Sequence, residues 1–183
     1  MPAISLAAVP GRRSATLDLA VEIEKKGFTG IYCPSLGDSM ALSQAIALVT
    51  KEIFFGTSIM PIYFRHVFDH ASSASFIHET SKGRFRFGIG VSHGPALKAK
   101  GLEGGKPLSD IRSFVSELKE APRVGELPPI ILAAMRKKMI ALAGEIGNGM
   151  VFANAARSHM QESLDVLSAS TKKDANFFIG KII

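Results

Sequence analysis

One cysteine, no tryptophan and two tyrosines occur in 183 residues. Cys33 alone can close no internal disulfide and has no spacing partner for a thiolate metal site, so it reads as a reduced, buried thiol in a cytoplasmic chain. His66, His70, His78 and His159 show no HExxH or comparable spacing, and no metal is expected. The shortage of stacking rings also limits what the net charge of +6 can mean. Nucleic-acid binding wants a basic patch interleaved with aromatics, whereas the densest basic cluster, Arg136-Lys137-Lys138, is only three residues long. Nucleic acid is therefore not expected as a partner, and a modest attraction for anionic small molecules remains. No apolar run reaches membrane-spanning length, and the opening MPAISLAAVPGRR lacks the basic start and cleavage site of a signal peptide, so no membrane partner is expected. Three further motifs are missing: a Walker lysine loop, a Gly-x-Ser-x-Gly elbow and the dinucleotide fingerprint, which GIGVSHG misses by one position.

What is present is an alternation of apolar strands with amphipathic helices. Ile4–Val9, Gly30–Ser35, Ile53–Pro61, the segment of Phe85, Phe87, Ile89 and Val91, PPIILAAM, GMVFANA and NFFIGKII read as seven strands. Helices fill the intervals. The first spans Ser14–Lys26 with Leu17, Ala20 and Val21 on one face and Gly27 as its stop. The second spans Ser39–Lys51 with Ala41, Ala45, Leu48 and Val49 clustered, and the third spans Phe68–Thr80. The fourth opens at Pro107, with Leu108, Ile111, Val115 and Leu118 on one face. The fifth spans Arg136–Ile146, and the sixth opens at Ser158 with Gln161 three residues on, a capping-box pattern. Such alternation implies an α/β protein with a parallel sheet wrapped by helices, in one domain spanning residues 1–183. An open doubly wound sheet and a (β/α) barrel both fit, because seven strands fall one short of the eight that leave a barrel without an edge.

In either architecture ligands bind at the carboxyl ends of the strands. There the sequence places Thr57-Ser58-Ile59, Ser92-His93, Met135-Arg136 and Asn154. Each has an ordinary reading beside the functional one. Thr57 and Ser58 suit a strand in any case, His93 suits a solvated loop, and Arg136 suits a solvated helix start. His93 has the pKa range of a general acid or base. Two further cations beside Arg136 at a helix amino terminus oppose the helix dipole unless an anion compensates, which favours a phosphate there.

GTSIMPIYFRH (Gly56–His66), HETSKGRFRFGIGVSH (His78–His93) and PPIILAAMRKKMIALAGEIGNGMVF (Pro128–Phe152) together resemble the bacterial-luciferase-like oxidoreductases. The branch they resemble uses the deazaflavin coenzyme F420 or FMN. The resemblance implies an incomplete (β/α)8 TIM-barrel fold and a reduced flavin or deazaflavin acting on a small organic substrate, as a monooxygenase or by hydride transfer. It further implies a non-proline cis peptide at Ser58-Ile59, beside Thr57, propping the cofactor ring. Ser92 and His93 are implied as pocket residues and Ala133, Ala134, Met135 and Arg136 as the phosphate-binding segment, while Asn154, at the carboxyl end of its strand, is a further candidate cofactor contact by position.

The chain departs from the family's pattern in four places. Where members often carry an acid-histidine pair after the second strand, Cys33-Pro34-Ser35 stands instead, leaving Asp38 as the nearest proton donor and, with His93, the catalytic candidate. Val67 follows the FRH motif in place of proline. KEAPRVGELPP replaces a long excursion that helps roof the substrate pocket, and an eighth strand is absent. An unclosed sheet exposes its first and seventh strands as edges, so a homodimer built on them is one expectation. A non-catalytic remnant that binds flavin or a partner is the alternative to an enzyme.

Overall fold

The computed structural model of the chain describes residues 1–182. In chain order the elements are β1 (Ile4–Ser5), α1 (Arg13–Lys25), β2 (Gly30–Cys33), α2 (Ser39–Val49), β3 (Phe54–Thr57), β4 (Met60–Pro61), a 3₁₀ turn (Ile62–Phe64), α3 (Val67–Thr80) and β5 (Phe85–Gly90). There follow α4 (Gly94–Lys98), α5 (Pro107–Glu120), β6 (Ile130–Ala133), α6 (Lys137–Ile146), β7 (Gly149–Ala153), α7 (Arg157–Leu164), α8 (Ala169–Lys173) and β8 (Phe178–Ile182). Every strand pairing is parallel, in the order β1-β2-β3-β5-β6-β7-β8, with β4 added beside β5. Seven strands in sequential order with helices between them make an incomplete (β/α) barrel, and β1 and β8 are its two edges.

Strand alternation separates two faces. Ile31, Cys33, Phe55, Phe85, Phe87, Ile89, Ile130, Leu132, Met150 and Phe152 turn toward the helices and are buried. Burial pushes the Cys33 thiol up to about 12, so it stays protonated and unreactive. The opposite face, inside the barrel, carries Tyr32, Ile131, Val151, Phe178 and Gly180 around a common cavity. Around the amino end of β5, Arg84 donates to the carbonyls of Ala47, Thr50, Ile53 and Ser81 and to the Thr50 hydroxyl. Its guanidinium also lies 5.3 Å from the centre of the Phe55 ring. One side chain thereby satisfies the C-terminal carbonyls of α2 and ties that helix to β3 and β5.

The sequence reading needs correction at several elements. β1 is two residues long rather than six, and Val9 is exposed. The third strand divides into β3 and β4 around Ser58-Ile59, whose peptide bond is cis as the resemblance implies. On α2 the buried face is Met40, Leu42, Ser43, Ile46 and Ala47, while Leu48 is 71% exposed. The helix is apolar on nearly every side, so periodicity cannot choose its inner face. What fixes it is the start at Asp38, whose carboxylate accepts from the Met40 and Ala41 amides. On α5, Leu108 lies outside and Phe114 takes its place in the core. α7 starts one residue earlier, with Ala156 at the cap and no side-chain cap bond, so the Ser158–Gln161 capping box is not formed. α4 and α8 lie where the sequence shows no periodic signal. Gly27 ends α1 at φ +74°, as expected. Ile183, the last residue of the expected seventh strand, lies outside the described residues.

Candidate functional site

The carboxyl ends of the strands gather most of the residues that the sequence singles out. Thr57 ends β3 and its hydroxyl donates to the Gly88 carbonyl at 2.6 Å, while the Ser58 amide reaches the Cys33 carbonyl at 2.7 Å. These bonds fold the chain over β5, and the space for that exists because β5 carries glycine there. A Cβ on Gly88 would meet the Thr57 oxygen at 1.9 Å, and one on Gly90 would meet the Ala133 Cβ at 3.0 Å and Ile59 Cδ1 at 3.2 Å. Ile59, Gly90 and Ala133 therefore lie side by side as a low shelf across the ends of β4, β5 and β6. β4 is held in register by Met60 opposite Ile89 and Pro61 opposite Gly90.

Two residues at this rim have left-handed backbone without being glycine: Ser92 after β5 (φ +63°) and Asn154 after β7 (φ +49°). Asn tolerates that region and serine less so, and such residues cluster at ligand-binding sites. His93 and Arg136 both stand at helix caps, exposed, and neither side chain makes a capping bond. Ala134 is buried, its amide donating to the Val151 carbonyl at 3.0 Å. Met135 is held by its neighbours, its sulfur accepting from the Ala153 amide and its carbonyl lying 2.8 Å from His159 Nε2. Of the three adjacent cations, Lys137 is paired with Glu162 at 2.9 Å, and no acidic residue stands in the first turn of α6.

Asp38 is placed differently. One carboxylate oxygen accepts the two α2 amides and the other pairs with Arg65. Both oxygens are thus engaged in holding the loop after β2. Arg65, twenty-seven positions away, carries no local signal that would mark it as a partner.

Inside the barrel lies a cavity of about 230 Å³, lined by Ile4, Tyr32, Thr57, Ser58, Phe178 and Ile182 among others. Ligand pockets run to roughly 300–1,000 Å³, so this cavity lies below that range. Two of the lining residues are held by Arg86, which donates to the Tyr32 hydroxyl at 2.7 Å and sits 4.6 Å from the ring centres of both Phe54 and Phe178. Sequence reading gave no hint of this group, because its members come from four strands. Among the described residues no cluster of three or more His, Cys, Asp or Glu could hold a metal ion, and no helix is long and apolar enough to cross a membrane.

Residues 4–121 match the family model for luciferase-like monooxygenases. A 5,10-methylenetetrahydromethanopterin reductase from Methanolobus tindarius is 23% identical over 174 residues, a match that takes in 82% of this chain and 53% of the reductase. The chain thus spans about half the length of that curated relative. The structure of the coenzyme F420-dependent tetrahydromethanopterin reductase from Methanopyrus kandleri superposes with a TM-score of 0.80 at 16% identity, covering 98% of this chain and 64% of that one. The oxygenating constituent of 3,6-diketocamphane monooxygenase from Pseudomonas putida, in complex with FMN, gives 0.73 at 16% identity over 95% of this chain and 64% of that one. At these identities the likeness to solved structures is one of fold.

Proposed function

From the chain's membership of the luciferase-like monooxygenase family, we propose that it binds reduced FMN or coenzyme F420 at the carboxyl rim and serves an oxidoreductase or monooxygenase reaction on a small organic substrate. The observation that carries this reading is the shelf of Ile59, Gly90 and Ala133 beside the α6 start. It offers an apolar face of one isoleucine, a glycine and an alanine next to a helix start with no acidic residue in its first turn, the chemistry that a planar ring with an anionic tail requires. The residues present fit such a group. Ile59 with Thr57 and Ser58 would support the ring, Ser92, His93 and Asn154 would border it, and the segment Ala133–Arg136 would hold the phosphate. The bound cofactor supplies the electrons or hydride, and the chain's own part is to orient the ring, bind the tail and keep water out. His93, exposed and uncapped, is the residue positioned to move a proton. The reading places the chain in the cytoplasm, and the unpaired edges β1 and β8 are where a second copy would add.

The test is a titration with FMN and with coenzyme F420. Saturable binding of one of them is expected, and no binding of either would end the proposal. Arg136→Ala should weaken FMN about tenfold, the worth of one charge-assisted contact, while leaving riboflavin nearly unchanged. Equal losses for both would remove Arg136 from the phosphate. A second reading, a non-catalytic cofactor-binding domain, is favoured by the full engagement of Asp38. Cofactor oxidation above the free-cofactor rate in the presence of substrate would exclude it.

A further inference from the structure

The 3₁₀ turn after β4 makes a separate fastening with each of three consecutive side chains. Tyr63 donates from its hydroxyl to Asp110 Oδ2 at 2.6 Å and accepts from the Gly105 amide at 3.3 Å. Phe64 offers its ring to Lys100, whose ammonium lies 5.1 Å from the ring centre. Arg65 pairs with Asp38. The turn thus joins the loop after β2 to the long connection between β5 and α5, which carries His93. That connection, residues 93–106, has few ties of its own. It contains the five-residue helix α4, one deeply buried anchor in Leu97, and Gly101 in a left-handed turn ahead of the Gly104-Gly105 pair. A Cβ on Gly104 would meet Leu97 Cδ1 at 3.1 Å and the Tyr63 ring at 3.9 Å. Gly105 is pinned by the Tyr63 hydroxyl, and burial together with Asp110 raises the phenol above its ordinary pKa, keeping it protonated as a donor.

We infer that Tyr63 is a positioning residue: its hydroxyl latches the 93–106 segment against the rim, and release of that latch is how the segment opens to exchange whatever the shelf holds. Two hydrogen bonds from one phenol join the segment's end to α5 and to the turn. Without them, Leu97 and the Lys100 contact remain, and an exposed cation–π contact is weak. A segment closed by so few bonds opens locally without unfolding the barrel. The control over cofactor exchange rests on the function proposed above; the latch itself does not.

Tyr63→Phe tests it, because the ring is kept and both bonds are lost. Trypsin cleavage after Lys98 and Lys100 should rise roughly five- to tenfold in cofactor-free protein, with cleavage at other sites and the melting temperature nearly unchanged. Asp110→Asn, whose amide oxygen can still accept from the phenol, should give a smaller rise. Tyr32→Phe, which removes the other phenol at the far end of the barrel, should give none. Dissociation of bound FMN or F420, followed by fluorescence after dilution, should accelerate by a similar factor in Tyr63→Phe. Unchanged cleavage at both lysines overturns the latch. Raised cleavage with unchanged dissociation overturns its control of the rim. If the unsubstituted protein binds neither cofactor, the proposed function fails, and the proteolysis alone decides the latch.

Discussion

His70 puts an imidazole in a place built for a hydrocarbon. It is fully buried on α3, its ring 5.8 Å from that of Phe87 and 5.3 Å from that of Phe114, and neither nitrogen has a hydrogen-bond partner. Burial chiefly, and the positive charge of Arg65 after it, push its pKa from 6.5 down to about 4, against the opposing pull of Asp69. A histidine held neutral in the fold but protonated in the unfolded chain makes the unfolded state the better proton acceptor. Stability is therefore unaffected above the unfolded value and declines as pH falls from about 6.5 toward 4, by about 3 kcal/mol in all, and levels off below that. His70→Leu should remove that slope, as read from urea midpoints at a series of pH values, and should not lower stability at pH 7.5, since no hydrogen bond is lost. A slope that persists in the variant would mean that the proton is taken up elsewhere.

At the scale of elements, the seam between β3 and β5 is the place with least tolerance. The backbones cross so closely at Thr57 and Gly88 that a single methyl has no room. Gly88→Ala should therefore destabilise by about 3 kcal/mol or more, seen as a lower denaturation midpoint by circular dichroism. An unaltered midpoint would show that the seam can part. The same seam shows how far the sequence can be read. The helix-facing Phe85, Phe87 and Ile89 alternate with small or polar residues, and that alternation alone predicts β5 with its buried face. The motifs around Gly56 and Gly88 further point to the bulge at Ser58-Ile59. What stays hidden is set by contacts between distant residues. The inner face of α2 depends on where Asp38 caps it. The employment of Asp38 depends on Arg65, and the tie between Tyr63 and Asp110 spans forty-seven positions. None of these leaves a periodicity, and α4, held by Leu97 alone, is too short to show one.

For the whole molecule, an open barrel is unevenly held. β5, β6 and β7 have neighbours on both sides, whereas β1 is two residues long with one partner strand, and β8 closes the other edge on β7 alone. Amide hydrogen exchange should follow that order. Leu132 and its neighbours in β6 should exchange at least about a hundredfold more slowly than Ser5 and Leu6 in and beside β1. Uniform protection across the sheet would show that its edges are covered by something further, such as a second copy.

The guanidinium of Arg86, set against two phenyl rings and tied to a phenol, brings side chains from four strands together across the inner face. One of those strands is β8, so the edge that pairs with β7 alone is also fastened through its Phe178 ring to a residue in the middle of the sheet.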